Sequence, residues 1–380
     1  MQLSDTELQE LIGLAHEFAE KEIRPVSAQY DESKEYPWDV FYKAAEVGLT
    51  CFDLPEEYGG GGVDNLLAGC RIYEELAWGD PAIATVILYA QNFVKPLMGM
   101  GSDEQKQRWI PQLCSAKPKV IAYAMTEPGS GSDAAAMKTH ARKVDGGYVL
   151  NGQKTWISNA PVADFFMVYA TVEPGTRHKG VTCFVLERGD EGLSVGKPFP
   201  KLGYHCHPCA ELFFEDCFVP EERRIGEEGE AFGPVMSAFD AARVEIGANS
   251  VGIGRAAIEH AVDYAKEREA FGKKISEFQA VAFRLVDAKM KVDQARLVYE
   301  HAARLHDTGK PFVTEASMAK LAGAEAAWFA TWAAVQTLGG YGYSSEYPVE
   351  KLLRDAKAEE IYEGTSDIQR LIIARSMFRG

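Results

Sequence analysis

No stretch of this 380-residue chain stays apolar for the length of a membrane span, so an integral membrane helix is not expected. Basic residues are outnumbered: 40 Lys and Arg against 56 Asp and Glu leave a formal charge of -16. Such a surface is poorly suited to holding a phosphate backbone, which argues against nucleic acid as a partner but leaves room for a local groove for one nucleotide cofactor. The seven cysteines are scattered and odd in number; they do not read as a disulfide framework and suit a reducing compartment. Met1 to Glu10 lacks the basic segment and apolar run of an export signal, so a cytoplasmic location is expected. Internal repeats and low-complexity tracts are missing. So is the regular alternation of strand and helix that builds a parallel sheet.

What is present divides into three textures. From Thr6 to about Lys117 the pattern is helical, with loops expected at Arg24-Pro25, Tyr36-Pro37 and Gly59 to Gly62. Short β-branched and aromatic runs then follow, such as Phe165 to Tyr169 and Val181 to Val185. The strongest hairpin signal there is Tyr148-Val149-Leu150 followed by Asn151-Gly152, a dipeptide suited to a type I′ turn. After Phe232 helix returns, with one apolar stripe at Phe278, Val281, Leu285, Ala288, Val292, Ala295, Tyr299 and Ala302. Ala316 to Leu338 is apolar around much of its circumference and is expected to be covered on several sides. The fold class read from this order is mainly α with a middle β domain, divided as 1–119, 120–230 and 231–380.

Two motifs mislead. Gly252-Ile253-Gly254-Arg255-Ala256-Ala257 matches a dinucleotide fingerprint, yet the strand that must precede it is missing, and small residues for close helix packing are the better reading. Cys206-His207-Pro208-Cys209 has redox or zinc spacing, but a strand pattern follows instead of a helix and no second ligand pair is evident; it reads as a loop, with no metal site.

Four segments carry the chemistry: Tyr123 to Asp133 (YAMTEPGSGSD), Asn151 to Asn159 (NGQKTWISN), Arg268 to Lys273 (REAFGK) and Ile361 to Asp367 (IYEGTSD). In this order they resemble the acyl-CoA dehydrogenase family over essentially the whole chain. The resemblance implies N-terminal helices, a β-barrel-like middle domain and a C-terminal four-helix bundle, assembled as a homotetramer. It implies FAD as cofactor, an acyl-CoA substrate and electron-transferring flavoprotein as acceptor. Tyr123, Met125, Thr126, Ser132, Trp156, Ile157 and Ser158 then border the flavin, where loop donors suit the electron-rich edge of its reduced form. Arg268, Phe271 and Gln279 match positions for the adenosine and pyrophosphate half, with Gln336, Gly339 and Gly340 completing it from a neighbouring subunit. Thr365 and Asp367 fall at the last flavin contacts, where the carboxylate of Asp367 departs from the usual neutral amide.

Glu363 matches the base that removes a proton beside the thioester while the flavin takes a hydride from the next carbon. Helix Thr365-Ser366 onward would lower its pKa and burial would raise it; burial is expected to win once substrate excludes water. The resemblance also gives the thioester carbonyl two donors, the backbone N–H of Glu363 and a ribityl hydroxyl of the flavin. Some relatives carry the base at the position of Ala242, which cannot act. Ser132, Tyr89, Asp240, Arg243, Tyr362 and Gly364 match substrate-contact positions. Read on their own, Asp240 and Arg243 would be a surface i,i+3 ion pair, and Glu245 has no assigned role.

Rival readings are a flavin-dependent acyl-CoA oxidase, a nicotinamide dehydrogenase and a purely structural helical protein. The acyl group is open. Tyr89, Gln91 and Asn92 put polar groups where the acyl end is expected, and Lys201 to Pro208 departs from the family after Lys-Leu-Gly. A compact or cyclic group such as cyclohexanecarboxyl is favoured, with glutaryl or a straight short or medium chain as alternatives.

Overall fold

The computed structural model describes residues 4–378, with the side chains of Asp5 and Gln91 also outside the described residues. Seven helices come first: α1 (Asp5–Phe18), α2 (Ser27–Ser33), α3 (Trp38–Glu46), α4 (Leu66–Gly79), α5 (Pro81–Leu88), α6 (Gln91–Met100) and α7 (Asp103–Leu113). Ser4 and Ser102 open α1 and α7 with capping boxes, each serine accepting from the third backbone N–H while the Glu or Gln there reaches back. The loop expected at Arg24-Pro25 is not one. A wide π-type turn, Ala19–Ile23, and a tight turn, Arg24–Val26, carry the helix past the proline, which sits in a first turn where its missing N–H costs nothing.

Strands β1 (Ile121–Ala124), β2 (His140–Val144), β3 (Gly147–Ser158), β4 (Phe165–Thr171), β5 (Val181–Glu187), β6 (Leu193–Val195), β7 (Cys209–Pro220) and β8 (Arg224–Ile225) form one sheet, ordered β6-β7-β3-β2-β4-β5-β8, with β1 parallel to β4. The hairpin expected at Asn151-Gly152 turns instead at Asp145-Gly146, between β2 and β3. Asn151-Gly152 lies inside β3 at a register shift: Gly152 approaches Thr139 so closely that a Cβ would sit 2.6 Å from its Oγ1, and the Asn151 amide pairs with Asp216 across the sheet.

The chain then returns to helix: α8 (Phe232–Glu267), α9 (Gln279–Asp307), α10 (Val313–Leu338), α11 (Val349–Glu359) and α12 (Ser366–Phe378), with a two-stranded hairpin at Glu269–Lys274 between α8 and α9. Leu285, Ala288, Val292, Ala295, Tyr299 and Ala302 bury the expected face of α9. α10 packs against α8, α9, α11 and α12, which explains its apolar circumference. The glycines of the false dinucleotide fingerprint serve helix packing: a Cβ on Gly252 would lie 2.5 Å from the Glu74 carbonyl oxygen of α4, and one on Gly254 2.6 Å from Val292 of α9. Among the described residues no helix is long and apolar enough to cross a membrane.

Candidate active site

The turn between α11 and α12 holds Glu363 in a conformation side chains rarely adopt. Its φ is +50°, and Gly364 follows at +95°. Left-handed backbone costs an ordinary residue about 1–2 kcal/mol, so something must hold it. The Gly364 carbonyl accepts from Lys320 Nζ and Gln369 Nε2, both at 2.8 Å, while Ser366 N–H donates back to the Glu360 carbonyl at 3.0 Å. The angle favours glycine, and a Cβ on Gly364 would meet Gln369 Nε2 at 2.8 Å and displace the amide that holds the turn. Thr365 Oγ1 accepts from Ile368 N–H and begins α12. Tyr362 donates to Glu359, a buried carboxyl that also receives Tyr204, Ser250 and Asn249.

Within this scaffold one oxygen of Glu363, Oε2, is buried and has no hydrogen-bond partner in the protein. Burial pushes its pKa up to about 7; the charge of Glu245 adds to the rise, and Lys320, Arg243 and Lys95 oppose it. Burial is the largest contribution to that rise. Near neutral pH such a carboxylate accepts a proton readily. Lys320 is itself held down to about 8 by burial.

The Glu363 charge reaches Tyr123, in β1 at the rim of the sheet. Met125, Thr126 and Glu127 follow β1, fixed by a buried ion pair: Lys154 Nζ donates to Glu127 Oε1 at 2.8 Å and to the Met125 carbonyl at 2.9 Å, and Glu127 in turn takes the N–H groups of Lys138 and Thr139. The register between β3 and β7 slips between Lys154 and Ile157, and at that bulge Trp156 takes φ +58° and stands 58% exposed while Ile157 is buried. A bulge that re-aims an indole outward at the cost of strain marks a contact surface. The Ser158 hydroxyl lies 3.4 Å from Cys209 Sγ, and Ser132 is exposed on the neighbouring loop. Tyr123 carries a buried hydroxyl without a partner. Tyr89 packs edge-on against His207, 5.3 Å between ring centroids, and the Glu363 charge helps raise its pKa after burial. Sheet rim, Tyr89 and Glu363 thus converge on one place.

The adenosine-type residues gather elsewhere. Arg268, Gly339 and Gly340 line an open groove with Thr337 and Tyr341. Gln279 and Gln336 are exposed, and Phe271, at the tip of the hairpin, is 96% exposed. Asp367 is also at the surface, 3.3 Å from Arg370. The Asp240–Arg243 pair is closed at 2.5 Å, but both side chains are largely buried rather than on the surface. Glu245 pairs with Lys95 at 2.7 Å.

The acyl-CoA dehydrogenase N-terminal, middle and C-terminal domain families match residues 5–117, 122–217 and 230–378. The chain belongs to the acyl-CoA dehydrogenase family. It is 41% identical to the human mitochondrial short-chain specific acyl-CoA dehydrogenase, covering 98% of this chain and 90% of that one. It superposes with TM-score 0.94 on butyryl-CoA dehydrogenase from Megasphaera elsdenii, at 36% identity over the full length of both. A glutaryl-coenzyme A dehydrogenase in complex with glutaryl-CoA (33% identity, 100% and 96% coverage) and an FAD complex of PigA (32%, full coverage of both) also give TM-scores of 0.94.

The enzyme is FAD-dependent. The residues fit that cofactor: the exposed indole of Trp156 offers a flat wall, and the fixed backbone around Thr126, whose carbonyl accepts from Thr155 N–H, supplies polar partners beside it. The Arg268 groove, with glycines that admit close approach, fits a pyrophosphate.

Sequence reasoning did not find Lys320, Gln369, Lys95 or Glu359. Their types are ordinary on helices, and only the fold brings the buried Lys320, Gln369 and Glu359 and the half-buried Lys95 around the Glu363 turn. The Cys206–Cys209 loop is structural in its contacts. Lys201 Nζ donates to the Tyr204 carbonyl at 2.7 Å and to that of His207, His205 pairs with Asp31 at 2.9 Å, and burial drives the Cys206 thiol well above its usual range.

Proposed function

We propose that this acyl-CoA dehydrogenase removes the α-proton of a short acyl-CoA thioester with Glu363. The observation that carries this reading is the buried, unpartnered Glu363 oxygen on a strained and clamped turn, close enough to Tyr123 and Tyr89 for its charge to act on both. FAD, when bound, supplies the hydride acceptor. The protein's own work is to present a dry carboxylate, to hold the turn through Lys320 and Gln369, and to keep a second carboxylate from Ala242. The flavin side is assigned to Tyr123, Met125, Thr126, Ser132, Trp156, Ile157, Ser158, Thr365 and Asp367, the adenosine side to Arg268, Phe271, Gln279, Gln336, Gly339 and Gly340, and thioester contacts to Ser132, Tyr89, Asp240, Arg243, Tyr362 and Gly364.

For the acyl group, relatives named for short-chain and butyryl substrates support a short straight chain over the cyclic group favoured from sequence, and the glutaryl-CoA relative keeps that alternative in the test panel. A homotetramer in the cytoplasm that passes electrons to an electron-transferring flavoprotein is the accompanying reading. The exposed Phe283, Val286, Met290 and Leu297 on α9, with Trp328 and Trp332 on α10, support association with further copies. The division at residues 119 and 230 is retained for the three domains.

Glu363→Gln tests the base. It keeps side-chain volume, so FAD should remain bound while anaerobic flavin reduction by butyryl-CoA slows at least 10²- to 10⁴-fold, the usual worth of a general base. Bleaching at a near-normal rate would move the base elsewhere, with Glu245 the first residue to examine.

A further inference from the structure

A small cavity between α6 and α8 is lined by Asn92, Lys95, Tyr123, Ala238, Phe239 and Ala242. Tyr123 joins it to the sheet rim. Ala242 also lines it, and Lys95 is near enough to Glu363 for its charge to act on that carboxyl. One wall of the cavity is therefore ionic. Lys95 Nζ donates to Glu245 Oε1 at 2.7 Å, its sole side-chain hydrogen bond among the described residues, and the Lys95 side chain is 35% exposed. An ammonium has three N–H donors, so donors remain for a guest. Asp53 acts electrostatically on the same pair, and one of its oxygens, Oδ1, is buried without a partner.

Building on the acyl-CoA reading above, we propose that Lys95, held by Glu245, forms the specificity-determining end of the acyl pocket and selects a short acyl group whose far end carries a neutral hydrogen-bond acceptor, such as a hydroxyl. A hydrocarbon end pressed against this pair would strip water from the ammonium without replacing its hydrogen bonds, and sites built to bond a substrate hydroxyl discriminate strongly against the analogue lacking it. A carboxylate end is disfavoured. Glu245 already balances Lys95, and Asp53 lies close by, so a further negative charge would find no net positive field. Asn92, beside Lys95 on the cavity wall, can donate to the same neutral oxygen.

The test is kcat/KM for matched pairs in which a terminal hydroxyl replaces a methyl: 4-hydroxybutanoyl-CoA against pentanoyl-CoA and 5-hydroxypentanoyl-CoA against hexanoyl-CoA, with glutaryl-CoA as the charged member. At one length or both, wild type should favour the hydroxyl tenfold or more. Lys95→Met should erase that preference, as should Lys95→Met/Glu245→Gln, which avoids an unpaired Glu245; FAD content reports whether each variant folds. Calorimetric binding of the same thioesters to a Glu363→Gln background should follow the same order without turnover. A wild-type preference for the methyl partner at both lengths, a preference for glutaryl-CoA over all others, or a hydroxyl preference unchanged in both folded variants would overturn the proposal. Failure of FAD-loaded wild type to be reduced by any member would overturn the acyl-CoA reading itself, and this inference with it.

Discussion

Glu363→Gln has a second consequence, visible without substrate. The glutamate titrates near 4.5 in the unfolded chain and near 7 in the folded one. A carboxyl raised on folding contributes its full stability below the unfolded pKa and loses it as pH climbs toward the folded pKa, because the unfolded chain ionises first. Between pH 5 and pH 8 the wild type should therefore lose about 2–3 kcal/mol that the glutamine variant keeps, at about 1.4 kcal/mol per pKa unit. For a chain of this length that is a relative melting shift of roughly 3 °C. The assay is thermal unfolding of FAD-loaded wild type and variant at matched scan rates across that range. The variant should gain on the wild type steadily up to about pH 7 and level off above it. A constant difference at all pH values would mean that Glu363 ionises normally, and would refute the argument that burial sets its basicity.

Gly364→Ala should retain FAD but lose turnover, since the new Cβ meets both a positive φ and Gln369; a cost of about 2 kcal/mol or a displaced Glu363 is expected, and unchanged kcat with unchanged stability would contradict it. Lys320→Met removes a donor from the Gly364 carbonyl and a positive charge near Glu363, so kcat should fall more than KM rises and the inflection of the pH–rate profile should move to higher pH. An unmoved inflection would leave Lys320 only a structural role. Cys206→Ser and Cys209→Ser should each preserve turnover and flavin content; loss of turnover with flavin retained in both would restore a redox reading of the pair.

Much of the architecture was legible because its signals are local. The α9 stripe repeats every three or four residues over more than twenty positions, and the β-branched runs of β4 and β5 have no competing period. Asn151-Gly152 failed as a turn because the sheet needed length there: β3 pairs with β7 from Gly147 to Ser158, and a bulge absorbed the dipeptide. Arg24-Pro25 failed as a break because tertiary packing carried the helix through a change of pitch. At the site, Glu363 and Trp156 stand in contiguous motifs and could be read. Lys320 lies 44 residues from the carbonyl it holds, and Lys95 150 from Glu245; no spacing rule connects them. For Asp240 and Arg243 the i,i+3 spacing alone pointed to a surface ion pair; the pair forms but is largely buried, because spacing gives adjacency and says nothing of burial.

The most direct test of the central claim is anaerobic mixing of the purified wild-type enzyme with butyryl-CoA, following flavin absorbance and identifying the thioester product. The protein should be yellow, with about one FAD per chain, and its flavin should bleach as the 2-enoyl thioester forms in equal amount. A protein that carries no FAD after gentle purification, or whose bound flavin stays oxidised with every acyl-CoA offered, would contradict the account.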